Sequence, residues 1–277
     1  MQVIVAEPAG FCYGVKRAMD GVLQAARESG KPIYTLGPLI HNPQVIEKLE
    51  SQGVKSVNDL SEIPAGSVVI MPSHGVSKSV MEQAKESGLE TIDLTCPFVG
   101  KVHRLAEKLS KVGYQIIILG DKGHTEVKSI LSRAGDDAVV LSNAEDLADY
   151  KLENRVGLVA QTTQTMERYQ ALVRELSSLV YELRAYNTIC NATTDRQNAA
   201  LMLAGEVDAM VVIGGRNSAN TRRLAQICSG IVSTHHIETA EELDAKWFRK
   251  AEKVGVTAGA STPDWIIKEV VEKLEGL

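Results

Sequence analysis

The same local pattern, a short apolar run, a cysteine and an amphipathic helical stretch, occurs three times in this chain and constrains its fold more than any other feature. The cysteines are Cys12, Cys96 and Cys190. They recur about every 90 residues, a period longer than that of solenoid repeats and close to the size of a small domain. The pattern predicts three similar α/β units with one cysteine each, arranged so that the cysteines converge near a pseudo-threefold axis.

Short β-branched runs alternate with helical stretches along the whole chain, which is typical of an α/β protein with parallel, buried strands. The predicted strands span residues 2–6, 33–36, 67–71, 91–94, 115–119, 138–141, 156–160, 209–213, 230–233 and 254–257. From the repeat we predict three α/β domains, at residues 1–95, 96–188 and 189–277.

Composition narrows the functional classes. The chain has 277 residues, of which 44% are apolar, enough to build a substantial core. A net charge of −5 and an aromatic content of 4% disfavour nucleic-acid binding. The start, MQVIVAEPAG, lacks the basic segment of a signal peptide, and no apolar run is long enough to cross a membrane. We therefore expect a cytoplasmic protein with reduced cysteines, used for metal binding or catalysis.

Each of the three repeated cysteines precedes a helix, where the helix dipole favours the thiolate that binds metals. Three thiolates are one ligand short of the usual set of four for zinc or iron–sulfur centres, and an open position is typical of catalytic metals. The alternative for each cysteine is an ordinary place in the core, which is what we expect for Cys228, inside a helical stretch. Zinc also stays open as the metal.

Histidines and hydroxyl residues collect where predicted strands end, the edge of a parallel sheet at which ligands and anions bind. They predict a phosphate-binding site formed by His41, His74, His124, Ser218, Asn220 and Ser261. Helix caps and turns are the simpler explanation for the serines taken singly.

Two further residues fall at the same predicted edge. Glu126, two residues after His124, is either a first-turn acid that favours the helix dipole or a proton donor. Thr162 follows a predicted strand and is either an N-cap or a substrate contact. His103 lies within a predicted helix, and we expect it on the surface or in packing.

Several motifs together resemble one family. They are GFCYGVKRA, HNPQVIEKL, SHGVS, DLTCPFVGKVH, GHTEV, QTT, TICNATTDRQ, RNSANTRRL and GVTAGASTPDW, in this order along nearly the whole chain. The sequence is similar to the 4-hydroxy-3-methylbut-2-enyl diphosphate reductases of the LytB/IspH family. Two positions depart from the family pattern: Ala219 stands where serine is frequent, and Thr125 where proline is common.

The resemblance implies three α/β domains around a central [4Fe–4S] cluster held by Cys12, Cys96 and Cys190. It implies that the phosphate site binds an allylic diphosphate and that Glu126, with Thr162, manages protons at the allylic hydroxyl. The implied reaction is the last step of the non-mevalonate isoprenoid pathway. Two electrons and two protons remove the hydroxyl as water and yield isopentenyl and dimethylallyl diphosphates. The electrons would come from an external donor such as ferredoxin or flavodoxin.

Two other functions stay open from the residues alone. One is a non-catalytic binding protein in which the three cysteines hold structural zinc; it predicts a colourless protein that contains zinc and no iron. The other is a phosphosugar or nucleotide enzyme that uses only the polar loops; it predicts that cysteine substitutions leave activity intact.

Overall fold

The computed structural model describes all residues, 1–277, and contains twelve strands and nine α-helices. The strands are β1 Gln2–Val5, β2 Ile33–Leu36, β3 Val54–Val57, β4 Val68–Met71, β5 Glu90–Asp93, β6 Gln115–Leu119, β7 Val139–Leu141, β8 Arg155–Ala160, β9 Glu182–Ala185, β10 Ala209–Ile213, β11 Ser233–Ile237 and β12 Lys253–Ala258. The helices are α1 Tyr13–Glu28, α2 Pro43–Ser51, α3 Lys78–Glu86, α4 Pro97–Lys111, α5 Thr125–Leu131, α6 Met166–Leu179, α7 Asn191–Ala204, α8 Ala219–Ser229 and α9 Asp264–Glu275. No helix combines the length and apolar character that a bilayer crossing requires.

The strands form three four-stranded sheets, and every strand pair is parallel. The strand orders are β3-β2-β4-β5, β7-β6-β8-β9 and β11-β10-β12-β1. In the first two sheets the first strand in chain order lies between the second and the third, and the fourth forms an edge. The third sheet has the same arrangement of β10, β11 and β12, with β1 in the place of the fourth strand. The predicted α/β class is confirmed, and the repeat of three units corresponds to three sheets of one topology.

The first strand of the chain completes the last sheet. Strand β1 pairs with β12 in the register Gln2↔Lys253 to Val5↔Val256. Residues 2–5, predicted within the domain 1–95, therefore belong to the sheet built from the C-terminal part of the chain. The boundaries after residues 95 and 188 stay predictions.

The chain divides into two compact units. The first contains Met1–Lys16, Ile40–Lys48 and Asn191–Leu277, with the sheet β11-β10-β12-β1. The second contains Arg17–Leu39 and Leu49–Cys190, with the other two sheets.

Strand β10 shows how the first unit packs its core. Val211 and Ile213 lie in a cluster with Val270 of α9 on one face, whereas Met210 packs on the other face with Leu224 of α8. All five of these side chains are buried because helices cover both faces of the sheet. Such a strand is apolar at every position, which explains the run AMVVI.

The structure corrects three strand predictions. Strands β3 and β9 were not predicted, and the strand predicted at residues 230–233 begins instead at Ser233, because Gly230 ends α8 and residues 231–232 form a turn. All three strands lie at sheet edges and expose part of their length. An edge strand faces solvent and tolerates polar residues, so its sequence lacks the apolar run of a central strand.

Candidate active site

The three repeated cysteines occupy equivalent places in the backbone. Each follows the fourth strand of a sheet and immediately precedes a helix, respectively α1, α4 and α7. Each backbone N–H donates to a carbonyl in the loop after the third strand of its sheet. These bonds are Cys12 N to Ala260 O at 3.1 Å, Cys96 N to Ser73 O at 2.9 Å and Cys190 N to Thr162 O at 3.0 Å.

Exposure separates these cysteines from the fourth. Cys12, Cys96 and Cys190 are partly exposed, and none forms a disulfide. Cys228 is fully buried, and burial raises the pKa of its thiol to about 11, so the thiol stays protonated. Its predicted core position is confirmed. No three histidine, cysteine, aspartate or glutamate side chains form a group arranged to hold a metal ion.

In the first unit, the structure brings three predicted anion-site residues together. Ser218 is the N-cap of α8, and its hydroxyl accepts from the backbone N–H of Thr221 at 3.3 Å. The Ser261 hydroxyl lies 3.5 Å from the Ser218 hydroxyl and donates to the carbonyl of His41 at 3.3 Å. A Cβ atom at Gly215 would lie 2.5 Å from that carbonyl oxygen, so the loop after β10 touches His41 closely.

Asn220, in the first turn of α8, is 4% exposed, and neither polar atom of its amide has a hydrogen-bond partner. An unsatisfied buried amide is costly, by about 1–3 kcal/mol for each group. Such a group beside a helix N-terminus, whose free N–H groups attract anions, fits a site that awaits a polar ligand.

His41 stands in the same unit. Burial, and secondarily the positive charge of Arg222, lower the pKa of its imidazole from the ordinary value. The ring is therefore neutral at physiological pH in the absence of a ligand. An anion bound beside it would offset both effects and favour its protonation.

In the second unit, Glu126 and Thr162 form a buried pair. The backbone N–H of Thr162 donates to one carboxylate oxygen of Glu126 at 2.7 Å, and the Thr162 hydroxyl donates to the other at 2.9 Å. His124 is the N-cap of α5, where its Nδ1 accepts from the backbone N–H of Glu126 at 3.1 Å. Because the carbonyl of Thr162 accepts from Cys190, one threonine contacts both the predicted proton donor and a predicted cluster ligand.

The environment of Glu126 favours its protonated form. Burial raises the pKa of this carboxyl to about 7, although the hydrogen bonds from Thr162 act in the opposite direction; the charge of Asp121 adds to the rise. A carboxylic acid that titrates near neutral pH is suited to deliver a proton.

His74 lies in the turn after β4, one residue beyond the carbonyl that accepts from Cys96. The structure also revises the view of His103. This side chain is buried, and its Nε2 lies 2.8 Å from the Ser129 hydroxyl. Its packing role is confirmed, but a surface position is wrong. Helical spacing would have indicated this, since His103 shares a face with the buried residues Val99 and Ala106.

Comparison with known proteins shows to which family the chain is similar. The family model described as LytB protein matches residues 3–275. A 4-hydroxy-3-methylbut-2-enyl diphosphate reductase of Geobacter sp. (strain M21) is 50% identical over 100% of this chain and 98% of its own length. The protein of the same name from Geobacter sulfurreducens is 49% identical, over 99% of this chain and 97% of its own length.

Two solved structures are similar throughout. One, the E-1-hydroxy-2-methyl-but-2-enyl-4-diphosphate reductase from Plasmodium falciparum, has a TM-score of 0.94 at 31% identity and covers 98% of this chain and 87% of that one. The other is an (E)-4-hydroxy-3-methyl-but-2-enyl diphosphate reductase, the terminal enzyme of the non-mevalonate pathway. It has a TM-score of 0.73 at 44% identity and covers 100% of both chains. On the match of nearly its whole length, this chain belongs to the LytB family.

Proposed function

We propose that this chain reduces 4-hydroxy-3-methylbut-2-enyl diphosphate to isopentenyl and dimethylallyl diphosphates, the activity named for its relatives. The allylic C–O bond breaks, two electrons and one proton form the new C–H bond, and a second proton leaves with the hydroxyl as water. The observation that carries the proposal is the set of hydrogen bonds made by Thr162. It donates two hydrogen bonds to a carboxyl that titrates near neutral pH and accepts one from Cys190.

The diphosphate is assigned to the predicted anion residues, His41, His74, His124, Ser218, Asn220 and Ser261. Support comes from the serine pair at the start of α8 and from the unsatisfied amide of Asn220. Binding energy from the diphosphate, which does not react, can position the allylic end of the substrate.

The cluster is assigned to Cys12, Cys96 and Cys190. Their chemistry fits a [4Fe–4S] group: three partly exposed thiols at equivalent helix starts, without disulfides, leave one iron without a protein thiolate. When bound, the cluster supplies the two electrons and a Lewis-acidic iron. The electrons would reach it from reduced ferredoxin or flavodoxin. A central position of the cluster among the three domains stays a prediction.

Within this proposal, Glu126 gives a proton to the leaving hydroxyl. Hydroxide is a poor leaving group, so a positioned acid lowers the barrier to its departure as water. Thr162 keeps the carboxyl in place through two hydrogen bonds. Glu126 lies in the first turn of α5, where His124 caps the helix and accepts from the Glu126 backbone N–H.

The deciding experiment combines colour, metal content and turnover of protein purified without oxygen. We expect brown protein with about four irons per chain and activity with reduced ferredoxin or flavodoxin. Replacement of any repeated cysteine by serine should abolish cluster binding and turnover, with Cys228→Ser as the matched control. Colourless protein with stoichiometric zinc and no iron would refute the proposal in favour of a structural zinc protein. Cell fractionation with a membrane marker tests the expected cytoplasmic location.

A further inference from the structure

The hydroxyl of Ser129, a residue of α5 that is 1% exposed, joins three segments of the second unit. It lies 2.8 Å from His103 Nε2 on α4, 2.7 Å from the carbonyl of Glu126 and 3.3 Å from the carbonyl of His74. Two of these contacts lead to the main chain of residues assigned above to the substrate site.

The direction of each hydrogen bond follows from proton counting. A serine hydroxyl has one proton, and carbonyl oxygens only accept. The Ser129 proton is therefore shared between the carbonyls of Glu126 and His74, and its oxygen accepts from His103 Nε2–H. Burial lowers the pKa of His103 to about 4. The positive charges of Arg133 and Arg104 also lower it, whereas the charge of Asp93 acts in the opposite direction. The neutral ring has one N–H to give, and the geometry places it on Nε2.

The imidazole of His103 also packs directly on the turn that carries His74. Gly75 has a φ of +77°, and a Cβ atom there would lie 2.8 Å from Cε1 of His103. A side chain at this position would thus be disfavoured by both the backbone conformation and the contact. The glycine at position 75 therefore allows the turn to pack directly against the ring of His103.

Two more contacts join the same turn to Ser132 and Arg133, the two residues that follow α5. Nη1 of Arg133 donates to the carbonyls of Val76 at 2.9 Å and of Ser129 at 2.6 Å. The backbone N–H of Lys78 donates to the Ser132 hydroxyl at 3.1 Å. Residues 74–78 are therefore held at three places against α5 and the two residues after it, and the buried Ser129 contact is the one nearest to the site.

We propose that His103 and Ser129 are positioning residues that hold the main chain of His74 against the first turn of α5. They thereby fix the position of the His74 imidazole relative to the Glu126 carboxyl. The inference rests on the proposed roles of His74 in diphosphate binding and of Glu126 in proton delivery. Without the shared hydroxyl, the turn after β4 would lose its innermost connection to α5, and both side chains would be less well placed.

The test uses the cluster-loaded protein and inorganic pyrophosphate as the probe, with binding measured by calorimetry. Ser129→Ala and His74→Asn should each weaken binding by about tenfold, within the range of coupling between contacting residues. The double variant should bind no more weakly than His74→Asn alone. The control is Ile130→Val, a fully buried neighbour in α5 outside the network, which should lower the melting temperature without weakening binding.

A second pair of variants covers the case in which Ser129→Ala does not fold. His103→Gln keeps an N–H at about the reach of Nε2, whereas His103→Leu removes it. We expect the glutamine variant to retain pyrophosphate affinity and kcat, and the leucine variant to lose both.

Two results would overturn the inference. If His74→Asn weakens binding but Ser129→Ala and His103→Leu behave like Ile130→Val, the positioning role fails and the anion site stands. If His74→Asn binds pyrophosphate like the unmodified protein, the assignment of His74 fails and the inference fails with it.

Discussion

Glu126→Gln tests the proposed chemistry most directly. Glutamine has the size of glutamate and can preserve the contacts in the pair. In the variant, the backbone N–H of Thr162 can still donate to the side-chain oxygen of the glutamine. In the unmodified protein the Thr162 hydroxyl donates to the carboxylate; in the variant the glutamine NH₂ can donate to that hydroxyl instead. The substitution therefore removes the acid with little change in shape.

We expect kcat to fall by roughly 10²–10⁴-fold, the typical contribution of a general acid. Pyrophosphate affinity should change little, because the predicted anion contacts remain. In the unmodified enzyme, kcat/KM should decrease as the pH rises through about 7, where Glu126 loses its proton. That decrease should be absent from the residual activity of the variant.

The stability of the same variant should change in the opposite direction to its activity. The folded-state pKa of Glu126, about 7, lies above the ordinary value of 4.5, so the folded protein holds this proton more tightly than the unfolded chain. Its contribution is fully present below pH 4.5 and is lost as the pH rises to 7. Such a rise in pKa corresponds to about 3 kcal/mol. Glutamine, which does not ionise, should therefore be the more stable at pH 7.5 and should flatten the pH dependence.

The assays are steady-state turnover with a chemical or protein reductant, and thermal unfolding at pH 5 and pH 7.5. The matched control is Glu167→Gln, which removes an exposed first-turn acid from α6. A simple helix-dipole role for Glu126 predicts that both variants lose about 0.3–1 kcal/mol of stability and keep turnover. Normal kcat with a lowered melting temperature in Glu126→Gln would refute the proton-donor role.

Three further outcomes are expected. Asn220→Ala should leave the melting temperature unchanged or raised, since it removes an unsatisfied buried amide, but should weaken pyrophosphate binding roughly tenfold or more; an unaltered affinity would argue against this contact. Because the pKa of His41 is lowered in the free site, pyrophosphate binding should be accompanied by proton uptake, detectable by calorimetry in buffers of different ionisation enthalpy. That uptake should decrease in His41→Asn, and equal uptake in both proteins would contradict the assignment. Gly215→Ala should weaken binding because its Cβ would lie 2.5 Å from the His41 carbonyl, whereas Gly205→Ala, whose nearest contact is at 3.5 Å, should not.

The sequence correctly predicts the strands that are buried on both faces of a sheet. The central strands β6, β8 and β10 are fully or almost fully buried, and their apolar runs identify them. The edge strands β3 and β9 carry charged residues and have no such pattern. Their pairing depends on neighbouring strands rather than on their own sequence.

The candidate site could be predicted in residue type but only partly in arrangement. Cysteines and polar residues just before helices were visible because strand ends and helix starts are local features of the chain. The link between His103 and Ser129 was not, since it joins residues 26 positions apart on two helices. Helical spacing indicates a buried face for His103, but it does not identify the partner.

The sequence by itself determined the three-part repeat, the alternation of strands and helices, and which chemical groups lie at the strand ends, because these depend on periodicity and on short-range turns. Only the tertiary structure decided that β1 completes the sheet of β12, that both atoms of the Asn220 amide lack partners and that Glu126 titrates at about 7. Strand pairing, the accounting of buried hydrogen bonds and desolvation all arise from contacts between residues distant in the chain. The chemical type of a side chain follows from the sequence, but its pKa and its hydrogen-bond partners depend on the tertiary structure.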